Sequence, residues 1–205
     1  MDARFVDELG CGFGWMTAEA DPAEKCSHAL VADGRVWLVD AQDGSGVEER
    51  VRALGEPAGV IQLLDRHGRD NAAWASRLDV PHHVVPFDRL DGAPFEFLRV
   101  VRSRVWKEAA LWWPERRTLV CADAVGSARY YRAGDERLAV HPMLRPIPPR
   151  KRLGIVSPEH VLCGHGEGVH GDEAEPAFRE ALRTARRRIP GQLAALFRVE
   201  RAKRK

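Results

Sequence analysis

No stretch of this chain approaches the roughly 18 consecutive apolar residues that a membrane span needs, and its N-terminus carries no basic segment followed by an apolar one. With neither a span nor a secretory leader, a cytoplasmic location and no membrane partner are expected. An excess of one charge is also missing: 32 Lys and Arg face 30 Asp and Glu, a formal charge of +2, so nothing global calls for a nucleic acid or an acidic partner. Cysteine is scarce, and Cys11, Cys26, Cys121 and Cys163 are spaced like no zinc motif; without a secretory signal they read as reduced, buried thiols. There is no G-x-S-x-G nucleophile motif, and Gly164-His-Gly-Glu-Gly168 has neither the Lys nor the spacing of a phosphate-cradling loop. No fixed-period repeat is present.

What is there is enough apolar material for one core. The 205 residues are 44% hydrophobic, which favours a single domain over 1–205, ending in a basic tail at about 199–205. The prevalence of Arg and Ala over Lys suggests a GC-rich bacterial genome. From His28, two apolar runs flank Asp33-Gly34, the strongest short hairpin signal. Val47, Val51 and Leu54 recur with a helical period that Gly55 to Pro57 stops, and the run 59–64 has strand length. A helix is expected over Asn71–Leu78, then strands over Val80–Pro86, Phe95–Val101, Ala109–Trp113 and Thr118–Cys121, the last two joined by a turn at Pro114 to Arg117. Four prolines between Val140 and Pro149 mark a long connection. A strand at His160–Cys163, a charged helix over Glu173–Arg188 and a short one over Gln192–Phe197 close the chain. Strands that pair locally with helices interspersed favour a layered α/β sandwich.

Four segments, taken in order from Val31 to Gly166, resemble the metallo-β-lactamase superfamily. They are Trp37-Leu-Val-Asp40; Leu63-Leu-Asp-Arg-His-Gly-Arg-Asp-Asn71, where the family carries H-x-H-x-D-H; Ala110-Leu-Trp-Trp-Pro114; and the pair Leu119-Val-Cys-Ala-Asp123 with Val161-Leu-Cys-Gly-His-Gly166. The resemblance implies an αββα (αβ/βα) sandwich with a metal site at one edge of its sheets. Aligned on Asp70, the signature reads Arg66, His67, Gly68, Arg69, Asp70, Asn71, and counting back from Pro114 puts Arg104 at the family's next histidine. Asp123 and His165 match expected ligands.

A guanidinium has donors only and stays protonated, so Arg66 and Arg104 cannot ligate a cation. Asp70, Asp123 and His165 remain, with His67 and Asn71 as recruits, enough for one weak Zn or Fe site and too few for a binuclear pair. The expectation is a non-catalytic or anion-binding protein with no resident cofactor, its pocket lined by Arg66, His67, Asp70, Asn71, Arg104, Asp123 and His165. In it, Arg66 and Arg104 would pair with Asp70 and Asp123. Its partner would be a small anionic ligand. The alternative is a mononuclear metal-dependent hydrolase of a small ester, thioester or phosphoester. Cys121 and Cys163 read as core thiols, and His82, His83, His141, His160 and His170 as surface or loop residues. The cluster Trp106, Trp112 and Trp113 reads as core or as the face of a homodimer.

Overall fold

The computed structural model describes residues 2–17, 21 and 23–192. The basic tail at 199–205, and all but the first residue of the expected helix Gln192–Phe197, lie outside the described residues. Among them, six strands form one sheet in sequence order: β1 (Ala3–Leu9), β2 (Gly12–Thr17), β3 (Cys26–Ala32), β4 (Arg35–Val39), β5 (Glu56–Gln62) and β6 (His82–Val84). The pairs through β4 are antiparallel; β4, β5 and β6 run parallel, joined by the crossover helices α1 (Val47–Leu54) and α2 (Asn71–Leu78). The second sheet is built from β7 (Glu96–Arg102), β8 (Lys107–Trp113), β9 (Thr118–Cys121), β12 (His160–Cys163) and β13 (Val169–His170), with β12 next to β9. A short hairpin, β10 (Val125–Gly126) with β11 (Ala139–Val140), stands apart, and α3 (Arg150–Leu153) and α4 (Ala174–Thr184) cover the outer face of the second sheet.

Local chemistry explains most of these elements. Asp33 and Gly34 have φ of 50° and 75°, the positive pair that a two-residue turn needs if its twist is to match the flanking strands. In α1, Val47 and Val51 turn inward, Glu48 and Glu49 sit in the first turn and Arg52 in the last, so the charges complement the helix dipole. The helix expected over Glu173–Arg188 is regular only to Thr184. β1 and β2 extend the first sheet beyond the elements read from sequence pattern; β1 is a charged edge strand with one fully buried residue, Val6.

The core forms three apolar layers. Phe13, Trp15, Leu38 and Val60 meet Val47, Val51 and Trp74 of α1 and α2. Between the sheets lie Leu30, Trp37, Ile61 and Leu63 against Ala109, Leu111, Trp113 and Val120. Beyond the second sheet, Cys121, Val161 and Cys163 pack on Phe178, Ala181 and Leu182 of α4. Helix, sheet, sheet, helix is thus the order of layers. Trp106, Trp112 and Trp113 are all buried, so this cluster is core. The C-terminal ends of the parallel strands β4, β5, β9 and β12 open onto the same edge, where side chains from both sheets meet. Phe178→Ala, which empties the middle of the α4 layer, should cost about 3–5 kcal/mol in urea denaturation.

Candidate metal centre

Each parallel strand delivers one residue to that edge. Asp40 follows β4 with a φ of 47°, His67 lies in the turn between β5 and α2, Asp123 follows β9 and His165 follows β12. Asp123 Oδ1 is 3.1 Å from His67 Nε2 and 3.1 Å from His165 Nε2, and the two nitrogens are 3.2 Å apart. All three side chains are nearly buried.

The far side of each imidazole is occupied. His67 Nδ1 lies 2.9 Å from Asp40 Oδ2, and His165 Nδ1 lies 2.6 Å from the Ala23 carbonyl, which can only accept. Asp40, although its burial opposes ionisation, is held below the usual carboxylate range by His67, Arg69 and the Leu63 amide, so it too accepts. We therefore assign the protons to both Nδ1 atoms, which leaves two Nε2 lone pairs and a carboxylate oxygen facing one point. Such a trio needs a cation, either protons or a metal. The pKa of His67 shows the demand: burial would lower it, yet the Asp40 charge and the hydrogen bonds to Asp40 and Asp123 carry it upward. Asp123 is likewise driven far below the ordinary carboxylate range, its burial outweighed by His165 and His67.

The donor set fits one metal ion. Zinc bonds of about 2.0–2.2 Å put tetrahedral N and O ligands about 3.4 Å apart, so a shift of a few tenths of an ångström would seat it. Acceptors behind both imidazoles are the outer shell that such ligands require. A second ion meets opposition, because Asp123 Oδ2, through which it could share the carboxylate, is faced by Arg66 Nη2 at 3.5 Å. The Arg66 guanidinium lies 4.2 Å over the Trp106 ring and keeps 45% of its side chain exposed.

Several expectations from the sequence change here. Asp70 is not with the trio: it holds the N-cap position of α2, and its Oδ2 accepts from the Asp43 amide at 2.8 Å, so the candidate ligand group at this edge is His67, Asp123 and His165. Arg104 sits exposed in the turn between the edge strand β7 and β8; Trp106 and Glu108 from the same segment reach the site instead. The imidazole that meets Asp123 is His67 and not the side chain at position 66, a one-residue change from the alignment on Asp70. Asn71 is a brace, accepting from the Ala41 amide and donating to the carbonyls of His67 and Gly68. The expected ion network therefore reduces to the Arg66–Asp123 pair. Of the histidines expected in loops or at the surface, His141 does lie in a loop, half-buried and edge-on to Trp106 and Tyr131, whereas His160 and His170 lie on β12 and β13 and face one another.

Several residues at the site were not read as site residues from the sequence. Arg69 donates to the carbonyls of Cys26 (2.5 Å), Asp40 (2.8 Å) and Gly164 (2.8 Å), tying the first sheet to the loop after β12. Glu108, wholly buried, accepts from the amides of Asp123 and Ala124 and from the Trp106 indole. Burial and the Asp123 charge push its pKa up to about 7 against these donors. Tyr131 donates to the Asp123 carbonyl at 2.9 Å. A cleft of about 430 Å³ lies over the trio, its rim mixing Lys25, Arg66 and Arg69 with Asp21, Asp43 and Asp70.

No protein-family model matches this sequence, and no curated protein does. Its shape does match solved structures. The DIM-1 metallo-β-lactamase superposes with a TM-score of 0.61 over 90% of this chain and 99% of that one, at 12% identity. The chain has the metallo-β-lactamase fold. A metallo-β-lactamase from Pontibacter korlensis gives the same TM-score, 0.61, at 9% identity over 89% and 99% of the two chains. A putative diflavin flavoprotein fragment from Nostoc gives 0.59 at 11% identity over 94% and 97%. At these identities the likeness concerns the fold; of the four sequence segments, the second and fourth supply the trio and the first supplies Asp40 behind His67.

Two outcomes follow. Glu108→Gln keeps one acceptor oxygen but turns a donor toward buried donors, and should cost about 1–3 kcal/mol in urea melts. Asp40→Ala removes the acceptor behind His67 and should weaken zinc binding at the trio by about 10–100-fold in competition with a chromophoric chelator; unchanged affinity would mean that His67 is not a ligand.

Proposed function

We propose that the chain is a mononuclear metal-dependent hydrolase, with one zinc or iron ion held by His67, Asp123 and His165. The observation that carries this reading is the convergence of two imidazole lone pairs and one carboxylate oxygen at 3.1–3.2 Å, each imidazole backed by an acceptor. When bound, the ion supplies Lewis acidity and lowers the pKa of water toward about 7. The residues around it do the rest. Asp40 and the Ala23 carbonyl hold the rings with Nε2 inward, and Glu108 and Tyr131 hold the Asp123 backbone. Arg66, propped on Trp106 and half in solvent, is free to turn from Asp123 to an incoming anionic group, with Lys25 on the same rim. A small ester, thioester or phosphoester bearing a negative charge suits this mouth.

The test begins with the metal content of untagged protein and with turnover of nitrophenyl ester, thioester and phosphoester substrates. His165→Ala should lose one equivalent of metal and at least about 100-fold in turnover. Arg66→Ala should raise KM for anionic substrates about tenfold with little change in kcat, and should alter stability by less than about 1 kcal/mol because the guanidinium is about half exposed. Turnover that survives both a strong chelator and His165→Ala would overturn the hydrolase reading. Saturable phosphate binding in a metal-free protein would then favour an anion-binding role.

A further inference from the structure

A second group of candidate metal-ligating side chains lies at the start of β3, next to the His67 trio but sharing no side chain with it: Lys25 bridges His165, and the Cys26 amide donates to the Gly164 carbonyl. Pairing between β1 and β2 jumps from Val6↔Gly14 to Leu9↔Gly12, and in this bulge Asp7 adopts a left-handed φ of 51°. The turn carries its carboxylate under the sheet toward β3, where Cys26 and His28, two residues apart, share one face. Gly14, paired with His28, leaves the space open: a Cβ there would lie 3.1 Å from both Asp7 Oδ2 and His28 Cδ2.

His28 Nε2 is 3.4 Å from Asp7 Oδ2 and 3.6 Å from Cys26 Sγ. Tetrahedral zinc with bonds of about 2.1 Å to N and O and about 2.3 Å to S requires edges of about 3.4 Å and 3.6 Å. Asp7 is also prepared as a ligand. Its Oδ1 accepts from the Gly168 amide at 2.8 Å and lies 3.0 Å from His170 Nε2, which is the outer shell. Its Oδ2, on a side chain only 3% exposed, is buried with no hydrogen-bond partner and faces the thiol and the imidazole. Leaving a buried carboxylate oxygen unsatisfied is costly, and a cation at the centre of these three atoms removes that cost.

We infer that Asp7, Cys26 and His28 form a second metal site, for a dication of borderline softness such as zinc. The sulfur, nitrogen and oxygen donors exclude a calcium- or magnesium-type ion, which takes oxygen ligands. The ion would tie the edge strand β1 to β3 and, through His170 and Gly168, to the second sheet, which makes the site structural. The inference stands apart from the proposed hydrolase, since it shares no residue with the trio.

Cobalt(II), added to metal-free protein, reads the two sites separately, because only this one offers sulfur. The wild type should show a near-ultraviolet thiolate-to-cobalt charge-transfer band, and His165→Ala should keep it. Cys26→Ser should abolish the band, and His170→Ala should weaken cobalt binding at this site by about 10–100-fold. Far-ultraviolet circular dichroism checks that each variant folds; should Cys26→Ser not fold, Asp7→Asn takes its place, with the band lost or its affinity reduced tenfold or more. A wild type without the band, or a folded Cys26→Ser that keeps it, defeats the assignment. Loss of turnover in His165→Ala with the band intact bears on the trio alone.

Discussion

Two imidazole nitrogens 3.2 Å apart, both against the same carboxylate oxygen, can coexist in a buried site only if positive charge lies among them. Much of the surrounding structure serves that constraint. Asp40 and the Ala23 carbonyl keep the rings from turning their protonated nitrogens inward. Glu108, through two backbone amides, and Tyr131, through the carbonyl, hold Asp123 at the end of β9. The site is therefore an electrostatic deficit maintained by its surroundings, one that protons or a metal ion could meet.

Those surroundings come from topology. Parallel strands in each sheet present their C-terminal ends to one edge, and the two sheets lock together over the layer that includes Trp37, Ile61, Leu111 and Trp113. Arg69 completes the lock: its guanidinium binds carbonyls at the ends of β3 and β4 and the first carbonyl after β12, so a shift of one sheet against the other would strip a partly buried cation of its partners. The same cation, with Arg66 across Asp123 Oδ2, adds positive charge beside the carboxylate of the trio.

The two candidate metal sites lie at different depths. The His67 trio sits beneath a cleft rimmed by Lys25 and Arg66, where an anionic molecule can arrive. Asp7, Cys26 and His28 are sealed between strands, with His170 the part-exposed member of their surroundings. Access separates a site suited to chemistry from one suited to holding an edge strand in place.

The sequence by itself determined whatever depends on neighbours along the chain. The Asp33-Gly34 turn, α1, α2, β9 and β12 follow from turn chemistry and from apolar period, which are local, and Asp123 and His165 were legible because each closes a recognisable strand. Tertiary structure decided the rest. How the turn after β5 winds decides which side chain brings an imidazole to Asp123: His67 meets Oδ1 while the Arg66 guanidinium stands at Oδ2. Asp70 and Arg104 looked equivalent to ligands in spacing, yet one faces the Asp43 amide and the other faces solvent at a sheet edge. Glu108, Arg69 and the Asp7, Cys26 and His28 group were not read as site residues from the sequence, because their partners are brought together only by strand pairing and by the contact of two sheets. Convergence of this kind is a property of three-dimensional register, which spacing along the chain does not encode.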